Sequence, residues 1–176
     1  GDLYVWTCMT GEVRFHFPPT RSRSPVCGLC FSQDAQRLLS FERDVARVWD
    51  LFTGQTVFAR NVQGVISTKT GEQALVGATE FTPSTPRFTC AAFVAANIIA
   101  IATNTKQLLF LNPNTGEEVL SVEVRANVTC MSPTWNGDVI FFGDSLGNHF
   151  RLQLFFRMRD VVDFAMTSKP PSKEKG

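Results

Sequence analysis

Residues 44–54 decide the fold, and they read Asp44-Val45-Ala46-Arg47-Val48-Trp49-Asp50-Leu51-Phe52-Thr53-Gly54. The first part is a short run rich in valine and tryptophan, which are residues that favour β-strands. A Thr-Gly pair follows, and a polar residue next to a glycine is typical of a tight turn. The stretch therefore predicts one short strand and the turn by which the chain leaves it.

Runs of the same kind recur along the chain, separated by Gly, Asn, Asp, Thr and Pro, and no convincing amphipathic helix precedes residue 155. Many short strands with such turns predict an all-β sandwich, barrel or propeller. The predicted strands are Leu3–Trp6, Glu12–Phe17, Val26–Phe31, Arg37–Phe41, Val45–Asp50, Gln55–Arg60, Phe88–Val94, Ile98–Thr103, Gln107–Asn112, Glu118–Val124, Val128–Ser132, Asp138–Phe142 and Asn148–Leu154.

Internal repetition favours a propeller among these folds. Thr-Gly pairs stand at residues 10–11, 53–54 and 115–116, and the fourth residue before each threonine is Trp6, Trp49 and Leu111 in turn. The first two pairs are 43 residues apart, within the range of about 40–45 residues that a four-stranded blade occupies. The next interval, 62 residues, corresponds to one blade plus an insertion at about residues 62–85.

The predicted strands supply about three to four blades: the third and fourth strands of one, two complete blades, and three strands of another. Because propellers usually have about four to eight blades, we expect a segment of a larger propeller that needs blades from the same chain or another subunit. The blades occupy residues 1–165. Residues 166–176 contain prolines and lysines and predict a disordered basic tail.

Residues 44–54 resemble a repeat of the WD40 family. In that family an aspartate precedes the third strand of a blade, and the strand ends in Trp-Asp before a Thr-Gly turn. Asp44, Trp49 and Asp50 fill those places, whereas Trp6 and Leu111 fill only the tryptophan position of their repeats. Asp144 fills the turn position of the last repeat.

The sequence departs from the family in its histidines. Neither His16 nor His149 follows a glycine, so the Gly-His pair that opens a family repeat is missing. The hydrogen-bond network between that histidine and the turn aspartate is therefore not carried over. We expect Asp44 to accept hydrogen bonds from turn amides by itself, as in an Asx turn.

Charge and hydrophobicity argue against nucleic-acid binding and against a membrane-spanning helix. The net charge is +1, so the electrostatic attraction that drives nucleic-acid binding is missing, and such binding is not expected. The longest nearly apolar stretch, residues 91–102, is shorter than the roughly 18 residues that a membrane-spanning helix needs. Five cysteines without a dense pattern predict reduced thiols, in the cytoplasm or alternatively the nucleus.

No catalytic constellation is expected, and neither is a cofactor or metal. Cys27 and Cys30 have the spacing of a zinc-binding or redox pair. A zinc site would need a second pair of ligands, and a redox pair normally stands at the N-terminus of a helix. Neither is present in the sequence pattern, so buried structural thiols are predicted instead. Cys90 and Cys130, in matching strands, are likewise expected in the core. The two histidines lie in separate strands and assemble no Ser-His-Asp arrangement.

Two segments exceed what a blade requires, and both are candidates for partner contact. Residues 18–25 contain Arg21 and Arg23, which can pair with an acidic partner. The alternative is that this segment is only a solvated linker stiffened by its prolines. The insertion at about 62–85 contains Lys69, and long loops often carry binding sites.

The resemblance implies a non-enzymatic scaffold that presents loops to protein partners in an intracellular complex. The alternative is a propeller enzyme with a central ligand site to which other blades contribute.

Overall fold

The computed structural model describes residues 1–18, 24–66, 85–94 and 98–154. These residues form fourteen β-strands and no helix. The strands are β1 (Leu3–Trp6), β2 (Val13–Phe17), β3 (Gly28–Phe31), β4 (Arg37–Phe41), β5 (Val45–Asp50), β6 (Thr56–Asn61), β7 (Gly64–Ile66), β8 (Phe88–Phe93), β9 (Ile99–Thr103), β10 (Gln107–Leu111), β11 (Glu118–Glu123), β12 (Val128–Pro133), β13 (Val139–Asp144) and β14 (His149–Gln153).

The strands form four antiparallel sheets in which each strand pairs with its neighbours in the sequence. Sheet I contains β1 and β2, sheet II contains β3 to β7, sheet III contains β8 to β11, and sheet IV contains β12 to β14. The predicted all-β class is therefore confirmed. The expected grouping of strands is also observed, with β7 as one additional strand in the part of the insertion that the structure describes.

The two faces of sheet II pack into two different cores, since neighbouring side chains on a strand point to opposite faces. Leu38 joins Leu3, Phe17 and Leu51 in a small core between sheets I and II. Leu39, next in sequence, belongs to the main core that sheets II, III and IV share.

Sheet III is covered on both faces. Every residue of β9 is buried, and Ile99 and Ile101 have no exposed surface at all. The first strand of this sheet, β8, lies against β3 and β4 of sheet II and against β12 of sheet IV. A strand buried on both sides explains why this part of the sequence is a nearly continuous apolar run.

A β-bulge marks the same place in three sheets. The pairing register shifts between Val5 and Trp6 in sheet I, between Val48 and Trp49 in sheet II, and between Phe110 and Leu111 in sheet III. The bulges thus fall where the repeat places Trp6, Trp49 and Leu111. Each bulge directly precedes the turn that contains a Thr-Gly pair.

Candidate partner-binding face

The turn after β5 is closed by the side chain of Asp50. Its Oδ1 atom accepts hydrogen bonds from the amide of Thr53 at 2.7 Å, the amide of Phe52 at 2.8 Å and the hydroxyl of Thr53 at 3.1 Å. The Thr53 amide above all holds the pKa of Asp50 below its ordinary value, because the hydrogen bond favours the ionised carboxylate. The amide of Gly54 donates to the carbonyl of Asp50 at 2.9 Å. With its amides engaged inward, the turn projects the side chain of Phe52 outward.

The turns after β10 and β1 repeat this geometry. Asn112 takes the place of Asp50, and its Oδ1 accepts from the amides of Asn114 and Thr115 at 2.8 and 3.3 Å. Gly116 donates to the carbonyl of Asn112 at 2.9 Å, and Gly11 donates to that of Thr7 at 2.8 Å. Sheets I, II and III therefore carry the same turn type. The residue before the threonine of each turn is Met9 in sheet I, Phe52 in sheet II and Asn114 in sheet III.

A second turn type joins the first and second strands of sheets II and IV. In sheet II the amide of Arg37 donates to the hydroxyl of Ser32 at 2.9 Å, and in sheet IV the amide of Val139 donates to the hydroxyl of Thr134 at 3.2 Å. The residue after the hydroxyl-bearing one is Gln33 in sheet II and Trp135 in sheet IV. Trp135 therefore stands at the tip of its hairpin.

Hydrogen bonds between sheets place both turn types at one end of the molecule. Arg37 donates through Nη1 to the carbonyl of Pro113 at 2.7 Å and through Nη2 to Oδ1 of Asn114 at 2.6 Å, which joins sheets II and III. Gln33 donates to the carbonyl of Trp135 at 3.2 Å, which joins sheets II and IV.

Three large apolar side chains stand almost fully exposed at this end. Met9 is 94% exposed, Phe52 86% and Trp135 91%, and they belong to turns of sheets I, II and IV. We call the end of the sheets that carries these residues the turn-tip face. Methionine and aromatic residues are enriched in protein interfaces, so the chemistry of these tips suits binding of another protein.

The residues predicted for partner contact lie outside the described residues. Arg21, Arg23 and Lys69 fall in residues 19–23 and 67–84, which the structure does not describe, as does the tail at 166–176. Sequence reasoning missed Met9, Phe52 and Trp135. The available signal was a large apolar residue at the centre of an otherwise polar turn.

Asp44 does not act as the sequence predicted. Its Oδ1 atom is buried and accepts no hydrogen bond from the described residues. The turn between β4 and β5 is closed instead by the backbone, since the amide of Glu42 donates to the carbonyl of Val45 at 2.8 Å.

Asp144 does cap its turn, although it occupies a different position. It is the last residue of β13, and its Oδ1 accepts from the amides of Leu146 and Asn148, both at 2.9 Å. The side-chain amide of Asn148 is the main cause of the lowered pKa of Asp144. This turn lies at the opposite end of the sheets and exposes Leu146.

The cysteines are less buried than predicted. Cys27 and Cys130 are exposed, Cys30 is half-buried, and Cys90 is buried. Cys130 pairs with Gly143 on the face of sheet IV that is turned away from the main core, which explains its exposure. Burial raises the pKa of Cys90 to about 11, so that thiol stays protonated and unreactive at neutral pH.

Within the part of the chain that the structure describes, no three His, Cys, Asp or Glu side chains form a group that could hold a metal ion. No helix with the length and apolar character needed to span a bilayer occurs among the same residues. Comparison of the sequence with protein-family models and with curated proteins gave no match.

Proposed function

We propose that this chain is a segment of a WD40-like propeller and acts as a scaffold that binds protein partners through the turn-tip face. The observation that carries the binding role is the exposure of Met9, Phe52 and Trp135 at the tips of three turns on that face. The propeller arrangement rests on the contacts between the sheets.

Two kinds of contact support a radial arrangement. The turns of sheets II and IV touch through Gln33 and Trp135 although sheet III lies between them in the sequence. Such contact between sheets that are not consecutive is expected where first strands surround a common axis. The first strands β3, β8 and β12 also lie side by side.

The outer strands contact the next sheet in a repeating way. The ring of Phe15 on β2 covers Gly54 of sheet II, and the ring of Phe58 on β6 covers Gly116 of sheet III. Both rings approach so closely that a Cβ atom added to the glycine would lie within 2.8 and 2.4 Å, respectively, of a ring carbon. One contact repeated between successive sheets supports a single rotation that relates each sheet to the next, as in propellers.

The test of the binding role uses photo-crosslinking at the turn-tip face. A photoreactive phenylalanine at position 52 is expected to capture a discrete partner in cell extract, whereas the same residue at position 146 on the opposite end is not. The captured protein is then purified, and its dissociation constant is measured against the unmodified chain.

The combined variant Met9→Ser, Phe52→Ser and Trp135→Ser is expected to weaken that binding at least tenfold while the far-ultraviolet spectrum stays unchanged. Leu146→Ser, which removes an exposed apolar side chain from a turn at the other end, is the matched control. Equal weakening by the control, or unchanged binding by the triple variant, would contradict the proposal.

A further inference from the structure

The turns described above for the turn-tip face carry one carboxylate each. They span residues 7–12, 32–37, 50–55, 112–117 and 134–138, and their acidic residues, in that order, are Glu12, Asp34, Asp50, Glu117 and Asp138. Asp50 is half-buried, and the other acidic residues are exposed. These turns therefore concentrate negative charge at one end of a chain whose net charge is +1.

Arg37 is the only arginine or lysine in these turns, and it is engaged within the fold. Its Nη1 donates to the carbonyl of Pro113 at 2.7 Å, and its Nη2 donates to Oδ1 of Asn114 at 2.6 Å. The other described arginines and lysines lie within strands or at the opposite end of the sheets. Carboxylates therefore dominate the charge that the turn tips present to a partner.

The opposite end of the sheets carries both signs of charge. The turns between β4 and β5, β9 and β10, and β13 and β14 lie at that end. Its exposed cations are Arg43, Arg87, Lys106 and Arg125, and its acidic residues include Asp44, Glu123 and Asp144. The negative charge is therefore a property of the turn-tip face and not of every turn in the molecule.

The accessibility of the turn-tip face does not arise from a sheet that lacks a neighbour. Sheet II packs against sheet I on one face and shares the main core with sheets III and IV on the other. Asp34 and Phe52 belong to sheet II, and both are exposed although that sheet is covered on both sides. Glu117 is likewise exposed beside sheet III, which has sheets II and IV as neighbours.

We infer that the partner segment bound by the turn-tip face is both basic and apolar, with lysine or arginine side chains between large hydrophobic ones. The inference rests on the proposed function, because it assigns the chemistry of the partner of that same face. The hydrophobic side chains of the partner cover Met9, Phe52 and Trp135, and its cations lie against the carboxylates of the surrounding turns. Complementary charge of this kind speeds association and rejects partners of the wrong sign. The same carboxylates repel phosphate groups, which disfavours nucleic acids and anionic lipids as occupants.

The chain's own residues after β14 match this chemistry over a short stretch only. Residues 155–159 read Phe-Phe-Arg-Met-Arg, but Asp160 and Asp163 follow, and residues 167–176 contain no large apolar side chain. Leu154, the residue before this stretch, lies at the turn-tip end, because its amide donates to the carbonyl of Asp138 at 2.8 Å. A partner is therefore the better source of an extended basic and apolar segment, and the test includes a variant of residues 155–159.

Synthetic peptides test the chemistry directly. A fluorescent peptide that repeats the order Lys-Phe-Arg-Met is titrated with the full chain. A second peptide has glutamate in place of each basic residue, and a third has serine in place of each apolar residue. The basic, apolar peptide is expected to bind saturably and about tenfold more tightly than either of the others. Its affinity should fall as salt is added, because ions screen exposed charges.

A matched pair of charge reversals locates the binding site. Glu117 and Glu123 stand at the two ends of β11, about 20 Å apart at roughly 3.3 Å per residue. This separation exceeds the screening length of about 8 Å at physiological salt. Glu117→Lys is expected to weaken binding of the basic peptide about fivefold, whereas Glu123→Lys, with the same change in net charge, should leave it unchanged.

The possible outcomes separate this inference from the proposed function. Absence of binding by the basic peptide, or equal effects of Glu117→Lys and Glu123→Lys, would overturn the inference. Equal binding of the basic and acidic peptides that the triple serine variant abolishes would overturn it as well, while the binding role of the turn-tip face would stand. Basic-peptide binding that is sensitive to Glu117→Lys but not to the triple serine variant would contradict the apolar contacts on which the proposed function depends.

A last variant decides between a partner and the chain itself as the occupant. Arg157→Glu with Arg159→Glu is expected to leave the affinity for the basic peptide unchanged. A severalfold gain in affinity would show that residues 155–159 compete for the turn-tip face, which would contradict a partner as its occupant.

Discussion

The ring of Phe17 stacks on the ring of Trp49 across the boundary between sheets I and II, with centroids 4.3 Å apart and planes at 27°. Trp49 is held in this position from its own sheet, because its indole Nε1 donates to the hydroxyl of Ser40 at 2.9 Å. The β-bulge of β5 lies directly before Trp49, between Val48 and Trp49. A tryptophan that the sequence singles out by its repeat position thus packs sheet II against sheet I, beside the small core that the two sheets share.

Trp49→Ala is expected to lower the free energy of unfolding by about 3 kcal/mol, near the lower end of values for tryptophan truncation because the side chain is half-buried. Urea denaturation measures the loss. A double-mutant cycle with Phe17→Ala should give a coupling of about 1 kcal/mol, as stacked aromatic pairs do. Trp6→Ala is the matched control, since the exposed Trp6 occupies the equivalent bulge, and it should cost well under half as much. Equal losses for the two tryptophans would contradict the assigned role of Trp49.

Gly116 is expected to tolerate no side chain. Its φ is +73°, and a Cβ atom would lie 2.4 Å from a ring carbon of Phe58. Gly116→Ala should therefore cost both the strain of a left-handed residue, about 1–2 kcal/mol, and a displacement of Phe58. Gly147→Ala separates the two effects, because Gly147 has φ +84° but no atom within 4 Å of the added Cβ. Thermal unfolding of both variants should show the larger loss for Gly116→Ala, and similar losses would disprove the steric contribution.

Replacement of Ala35 by glycine is expected to stabilise the fold. It has φ +54° in the turn after β3, and Gly137 has φ +73° at the matching position of the turn after β12. Ala35→Gly removes the left-handed strain but increases the entropy of the unfolded chain, so a net gain of about 0.5–1 kcal/mol is expected. Chemical denaturation at neutral pH tests this. A destabilised Ala35→Gly variant would show that the backbone at this turn is not strained.

The strands and turns were predictable because their determinants are local. A Thr-Gly pair after an apolar run specifies the turn by its own chemistry, through a positive φ at Gly54 and a polar cap at Asp50. The extra strand β7 was missed because Gly64–Ile66 is only three residues long and pairs with a strand that already had a neighbour.

Exposure was less predictable because it depends on distant parts of the chain. Phe31 and Phe93 end the first strands of sheets II and III, yet Phe93 is buried and Phe31 is exposed. Sheet II packs against the first strand of sheet III, whereas sheet I consists of β1 and β2 alone among the described strands. Cys130 is exposed because it lies on the face of sheet IV opposite Met131 and Phe142, which pack against the main core. The turn-tip face could not be predicted from the repeat pattern for the same reason. It forms only because turns from separate sheets lie at the same end of the molecule.

The lowered pKa of Asp50 predicts how the free energy of unfolding depends on pH. Because hydrogen bonds from the Thr53 and Phe52 amides lower its pKa in the folded state, the ionised carboxylate stabilises the fold above the ordinary value of 3.8, and this contribution is lost as the pH falls through the lowered pKa. Asp50→Asn should remove that part of the pH dependence while it keeps the turn, since Asn112 closes the equivalent turn with an amide oxygen. Unfolding free energies measured from pH 6 down to pH 2 should therefore decline less steeply in Asp50→Asn than in the unmodified chain. Asn112→Asp is the converse variant and should steepen the decline. Parallel curves for all three proteins would show that the carboxylate at position 50 is not ionised preferentially in the folded state.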